Sequence, residues 1–313
     1  MKIQKAFTAT DVHVAGEAFR IIREAPFIHY QSLQQLDEQF PHVYADVIKL
    51  LLNEPRGFAG LNGCLVVPPL SHEADAAVIF FTHDGTVPLQ YGGIVAVITY
   101  LLECGQLSPR ESEEYRLETV SGIISVRAVA DKDEVISVEL ASNPCQIVQS
   151  NIQYKNTKYS LVQADQLYAI FKKSDVPFEI QIEDLSEVQK WGQEVNLALD
   201  SNQSIKGAIL LDDSLLPSGR IKTVTFRKDH IIVRSPGFGT AAACYASLLF
   251  NGEITMKQPF KNESIFNSFI TVHLANQLED SYQFTFTSRG FITGMQTYVL
   301  DPTDPLAAGF LLK

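Results

Sequence analysis

Apolar and polar positions change period along this chain, and the changes mark its elements. Ile3 to His13 alternates weakly, and Phe19 to Ile22 continues the alternation after a turn at Gly16, which predicts a first pair of strands. Leu33, Leu36 and Phe40, then Val43, Val47, Leu50 and Leu51, fall at helical spacing between Ser32 and Asn53. Pro41 interrupts them, so two short helices on one apolar face are expected, ending before Pro55-Arg56-Gly57. Leu65 to Pro68 and Ala76 to Thr82 are continuous apolar runs of strand length, and His83-Asp84-Gly85 reads as the turn after them.

From Tyr115 to Ile147 the pattern becomes a series of short strands, broken at Ser121-Gly122 and Asp131-Lys132-Asp133. Leu185, Val188, Trp191, Val195 and Leu199 predict a helix with one core face, starting near Ser186 and Glu187. Further strands are expected over Gly207 to Leu211, Ile221 to Phe226, His230 to Val233, Phe269 to Leu274 and Tyr282 to Thr287.

One segment occurs twice. Leu89 to Leu107 and Pro236 to Ile254 superpose without a gap, Gln90 against Gly237, an offset of 147 residues. In each, an aromatic-glycine step (Tyr91-Gly92, Phe238-Gly239) opens an apolar run that closes on Leu-Leu-x-x-Gly at Gly105 or Gly252. That is the form of a tight turn, a buried helix and a glycine C-cap. Two such helix starts offer free N–H groups to a small anion.

At 313 residues the chain exceeds the usual single core, so two similar halves are expected, 1–120 with 290–313 and 121–289. A hydrophobic share of 46% beside 19% charged residues describes a folded globular protein. The net charge of −11 provides no basic field for phosphate backbones, so nucleic acid is not an expected partner. No apolar stretch reaches the roughly 18 residues that cross a bilayer, so no membrane partner is expected. The beginning MKIQKAFTATDVH lacks a signal-peptide pattern, and reduced thiols in the cytoplasm are the expectation. Cys64, Cys104, Cys145 and Cys244 show no metal-ligand spacing, so neither a metal nor a cofactor is expected. Cys64 and Cys244 read as core residues.

Several motifs occur in a fixed order. They are Asp11-x-His13-x-Ala15-Gly16-Glu17-x-x-Arg20, Pro55-Arg56-Gly57, Phe81-x-His83-x-Gly85 and Leu117-Glu118-Thr119-x-x-Gly122. Arg234-Ser235-Pro236, Gly290-x-Ile292-Thr293-Gly294 and Leu300-Asp301-Pro302-x-Asp304-Pro305-Leu306-x-x-Gly309-Phe310 follow. On these residues the chain resembles the proline racemase family, which includes hydroxyproline epimerases and trans-3-hydroxyproline dehydratases and shares its fold with diaminopimelate epimerase. The resemblance implies an α+β protein of two pseudo-symmetric domains, each a curved sheet or barrel around a central helix, with a site in the cleft between them. It also implies a homodimer as one expected state.

In that family a cysteine stands before each central helix, one thiolate removing the α-proton while the opposite thiol delivers another; a helix start suits a thiolate. Aligned on Gly85 and on Arg234-Ser235-Pro236, those two positions are Gln90 and Gly237 here, and neither can act as acid or base. A one-residue shift would place Tyr91 or Phe238 there instead, but the gapless internal repeat opposes it. The family's aspartate that meets the substrate amine becomes Val233, which disfavours a zwitterionic imino acid.

The anion-binding part is expected to persist on the amides of Gly92, Gly93, Gly239 and Thr240, with Tyr91 and Phe238 as aromatic walls and Val233 beside them. The expected ligand is a small carboxylate, an amino, imino or hydroxy acid. Replacement acid–base groups are sought in His83 and Tyr91, while His13 and Glu17 are read as supports of their loop. Three functions stay open: a carboxylate-binding protein or enzyme without two-thiol chemistry, an isomerase or dehydratase using another base, and a structural or partner-binding protein.

Overall fold

Both copies of the repeat fold as helices that bury almost every side chain. The computed structural model describes residues 5–23, 27–199, 204–228, 231–255, 259–301 and 303–312. Helix α1 spans Leu33–Val43, α2 Ala45–Leu52, α3 Tyr91–Glu103, α4 Leu185–Leu199 and α5 Phe238–Phe250. In α3 everything from Tyr91 to Leu102 is buried, and in α5 everything from Phe238 to Leu248. A helix apolar on all sides must lie inside a core. Each closes on the expected left-handed glycine, Gly105 at φ +66° and Gly252 at φ +69°. No helix among the described residues is long and apolar enough to cross a membrane.

The fold is α+β. The contacts divide it into two units, Met1–Leu140 with Arg289–Lys313, and Ala141–Ser288. In the first unit Lys5–Val14 pairs antiparallel with both Gly290–Leu300 and Glu17–Ile22. Glu17–Ile22 runs parallel to Asn62–Val67, which pairs with Ala76–Thr82. These strands pack around α3. The sequence placed Gly122–Asp131 and Glu134–Ala141 in the second half, but they continue Glu114–Thr119 by hairpin pairing and group with the first unit up to Leu140. Short turns hold such strands to the sheet they follow.

In the second unit Gln146–Tyr154, Thr157–Gln163, Leu167–Lys172, Ile205–Asp212 and Arg220–Arg227 pair in succession. Phe260–Glu263, Phe269–Gln277 and Tyr282–Ser288 continue from Arg220–Arg227. Helix α5 packs against Gln146–Tyr154, Thr157–Gln163 and Phe269–Gln277.

Three local expectations are corrected. Helix α1 runs through Pro41 and ends at Val43, because the proline falls in the last turn, where the ladder loses little. Its start is capped as the spacing suggests, Ser32 Oγ accepting from Gln35 N at 3.2 Å. Helix α4 begins at Leu185, so Ser186 is inside it; Asp184 instead ties the entry by accepting from Glu179 N at 2.9 Å. Of the strand expected over His230 to Val233, the described residues form an isolated bridge, Ile232 to Phe226. His230, Ile3 and Pro302 lie outside the described residues.

Candidate functional site

The start of α3 is shaped by close approach. A Cβ on Gly92 would stand 2.7 Å from the Phe19 ring, and one on Gly93 2.6 Å from Phe80, so only glycines let this helix enter its sheet here. The first ladder bond runs from Ile94 N to Gln90 O at 2.9 Å. The amides of Gly92 and Gly93 therefore precede the helical ladder, as an anion site requires. Tyr91 is buried in this turn.

Gln90 occupies the N-cap position, and its side chain does not cap the helix. Its Nε2 donates to Asn62 Oδ1 at 2.9 Å, while Asn62 Nδ2 donates to Glu17 Oε1 at 3.2 Å and Ala18 O at 3.3 Å. This relay fixes the carboxamide so that Gln90 Oε1 faces the other way, buried and without a hydrogen-bond partner among the described residues. Asn62 was missed from sequence, where it looks like part of an ordinary Asn-Gly step.

His83 is held away from this relay. Its Nδ1 lies 3.1 Å from Asn53 Oδ1 and its Nε2 3.3 Å from Phe58 O, so the ring faces the loop after α2 and, when neutral, donates to one of these two acceptors. His13 stacks on Phe291 with centroids 5.1 Å apart, its Nδ1 is buried without a partner among the described residues, and burial lowers its pKa.

The other ordered motifs form a frame. Arg20 makes a two-pronged pair with Asp11 at 2.8 and 2.7 Å and donates to Arg56 O at 2.8 Å and to Leu51 O. Arg56 in turn donates to Ala307 O at 2.7 Å and meets Asp304 at 3.3 Å. Residues far apart in sequence are thus joined by charged hydrogen bonds, which accounts for their combined occurrence without assigning any of them chemistry.

The start of α5 has another geometry. Gly237 is its N-cap at φ +72° and ψ 129°, a left-handed backbone that disfavours any side chain. Its amide donates to Ser235 Oγ at 3.1 Å, and the ladder opens with Ala241 N to Gly237 O at 2.9 Å, ahead of which lie the amides of Gly239 and Thr240. The Thr240 hydroxyl is shared with Thr225 at 2.7 Å. Phe238 is buried edge-on to Phe286 at 5.2 Å, a core contact more than a free wall. Val233 is half-buried, its amide bonded to Thr225 O at 2.9 Å.

Against this first turn lies a carboxylate that the sequence reading passed over. A Cβ on Gly239 would fall 1.7 Å from Asp165 Oδ1 and 2.7 Å from Oδ2, so the aspartate occupies the space that the glycine leaves. Tyr168 OH donates to Oδ1 at 3.1 Å and Gln166 N at 3.0 Å. Asp165 is exposed as a residue, although the protein around its carboxyl raises its pKa, desolvation outweighing the hydrogen bonds that lower it. Between two strands, Ala164-Asp165-Gln166 looks like turn chemistry; only its long-range partner distinguishes it.

No cysteine begins either helix. Cys64, Cys145 and Cys244 are buried and Cys104 follows α3. Burial raises all four thiols, Cys145 and Cys244 to about 12, so none is an activated thiolate. Among the described residues no group of three or more His, Cys, Asp or Glu is placed to hold a metal ion.

Comparison with known proteins agrees with the motif pattern. The family model described as proline racemase matches residues 9–311. A trans-3-hydroxy-L-proline dehydratase of Bacillus cereus is 29% identical over 337 aligned positions, covering 100% of both chains. A 4-hydroxyproline 2-epimerase of Streptosporangium roseum is 24% identical, again over 100% of both. Among solved structures, a hydroxyproline epimerase from Agrobacterium vitis, with bound trans-4-hydroxy-L-proline, superposes with a TM-score of 0.85 at 23% identity, covering 100% of this chain and 96% of the other. With its motifs, its fold and its full-length match in agreement, the chain belongs to the proline racemase family.

Proposed function

We propose that this protein binds a small carboxylate at its helix starts and does not carry out two-thiol racemisation or epimerisation. One observation carries the reading: the two N-cap residues are Gln90 and Gly237, and every thiol of the chain is elsewhere, with a raised pKa. A carboxamide and a glycine supply no proton-transfer group. Each such group typically contributes ~10²- to 10⁴-fold to rate. What persists are the leading amides of Gly92, Gly93, Gly239 and Thr240, and a carboxylate needs only such donors and a close backbone.

His83 is a poor replacement base, since its ring faces Asn53 Oδ1 and Phe58 O, on the loop after α2. Tyr91 is buried and fits packing better than proton transfer. A dehydratase is the second reading, favoured by the relative of that name at 29% identity. It requires a base that neither helix-start residue provides. Function in the cytoplasm and assembly as a homodimer belong to the same proposal.

Calorimetric titration with L-proline, trans-3-hydroxy-L-proline, trans-4-hydroxy-L-proline and cyclopentanecarboxylate tests the binding claim. Saturable binding of at least one is expected. No binding of any of the four at millimolar concentration contradicts it.

A further inference from the structure

The amide relay at the start of α3 leaves one group over. Glu17 Oε1 and Ala18 O are both acceptors, so Asn62 must turn its Nδ2 to them, at 3.2 and 3.3 Å. Its Oδ1 then faces Gln90, which obliges Gln90 to present Nε2, at 2.9 Å. Neither carboxamide can be reversed without setting two acceptors or two donors against each other. Gln90 Oε1 is the remainder, an acceptor buried without a hydrogen-bond partner among the described residues. Leaving such a group unpaired is costly, and it calls for a donor from outside the chain. Two placements tie this acceptor to the helix start. Gln90 is the N-cap of α3, and its Cβ lies 3.3 Å from where a Cβ on Gly93 would stand, so its side chain leaves alongside the first turn. Asn62 is 4% exposed while Gln90 is half-buried, so the relay is anchored in the core and its loose end lies towards the surface.

We propose that Gln90 is a specificity-determining residue whose Oε1 accepts a hydrogen bond from the 2-hydroxyl of a small 2-hydroxy carboxylate. This rests on the carboxylate-binding reading above and narrows it. A hydroxyl is the donor that fits, because the carboxamide is neutral. A protonated amine set on it would keep a charge that Oε1 does not answer, whereas a hydroxyl needs only an acceptor. Val233, apolar where the family's aspartate meets an amine, points the same way. The position that carries an acid–base thiol in the family thus becomes, in this chain, a hydrogen-bond acceptor held in one orientation. Asn62 and Glu17 are positioning residues, since they decide which end of Gln90 is left over.

Three compounds that share one ring and one carboxylate test this by calorimetry on the full chain: cyclopentanecarboxylate, its 1-hydroxy derivative and its 1-amino derivative. The wild-type protein is expected to bind the 1-hydroxy acid about tenfold or more tightly than the unsubstituted acid, as suits one hydrogen bond to an otherwise unpaired acceptor. It should also bind the 1-hydroxy acid more tightly than the 1-amino acid. Gln90→Leu, which removes the acceptor, should bring the ratio of hydroxy to unsubstituted affinity to about one. Gln90→Asn, a shorter carboxamide that withdraws the acceptor, should do the same and serves if Gln90→Leu does not fold; melting temperatures near wild type show that folded protein is being measured. Asn62→Ala, which frees the Gln90 carboxamide to turn, should lower the ratio partially, an effect that packing alone does not produce. A wild-type ratio near one, tighter binding of the 1-amino acid than of the 1-hydroxy acid, or an unchanged ratio in the folded Gln90 variants overturns the proposal and leaves the carboxylate site standing. An unchanged ratio in Asn62→Ala overturns the positioning role. Binding of none of the three compounds overturns both readings.

Discussion

At Gly237 the backbone turns into α5 with φ +72°, and a Cβ there would also approach Thr240 Oγ1 to 2.9 Å. Gly237→Cys therefore places a thiol where the chain resists any side chain. It is expected to cost about 1–3 kcal/mol in urea unfolding, as backbone strain of this kind does, without conferring proline racemisation. Gly237→Ala should cost a similar amount, which separates the backbone effect from thiol chemistry. His13 offers a pH test. Its pKa is lowered by burial, so the folded state resists protonation, and stability present above the ordinary histidine value is lost as pH falls through that value toward the folded one. His13→Gln should flatten the decline in melting temperature between about pH 7 and pH 5. At this scale the sequence showed the identities of Gln90 and Gly237 but not the partners that decide their roles. Asn62 orients Gln90, and Asp165 answers Gly239, through contacts 28 and 74 positions apart that no local pattern contains.

Helices α3 and α5 were legible because a run that is apolar on every face, opened by glycine and closed by glycine, has few other folds available. The purpose of the opening glycines was less legible. Gly92 and Gly93 looked like anion donors, and their contacts with Phe19 and Phe80 show that they are also required for packing. Gly93→Ala should destabilise the protein by about 1–3 kcal/mol, the usual cost of overpacking, measured by chemical denaturation. An unchanged unfolding midpoint would contradict the packing role. The thiols give a second test at this scale. With Cys64, Cys145 and Cys244 buried and all four pKa values raised, iodoacetamide at pH 7.5 should modify the folded protein more slowly than free cysteine at every site. In denaturant all four should react. One fast-reacting thiol in the folded protein would reveal an activated cysteine.

Over the whole molecule, the family was recognisable from residues that build the frame. Asp11, Arg20, Arg56 and Asp304 are bound to one another or to nearby carbonyls, so their order in sequence reports how the first unit closes. The extent of the units was harder to read. The strands from Gly122 to Leu140 alternate as clearly as those after Ala141, and only their pairing with Glu114–Thr119 assigns them to the first unit. A frame can persist while the groups at its two helix starts change, and with them the family's two-thiol chemistry. It is tested most directly by incubating the purified protein with saturating L-proline, and separately with trans-4-hydroxy-L-proline, in deuterium oxide, following the α-proton by NMR and the product configuration by chiral chromatography. The account predicts that neither substrate is inverted at a rate above the protein-free control. Inversion with deuterium incorporation at about one turnover per second or faster, abolished by iodoacetamide, would contradict it.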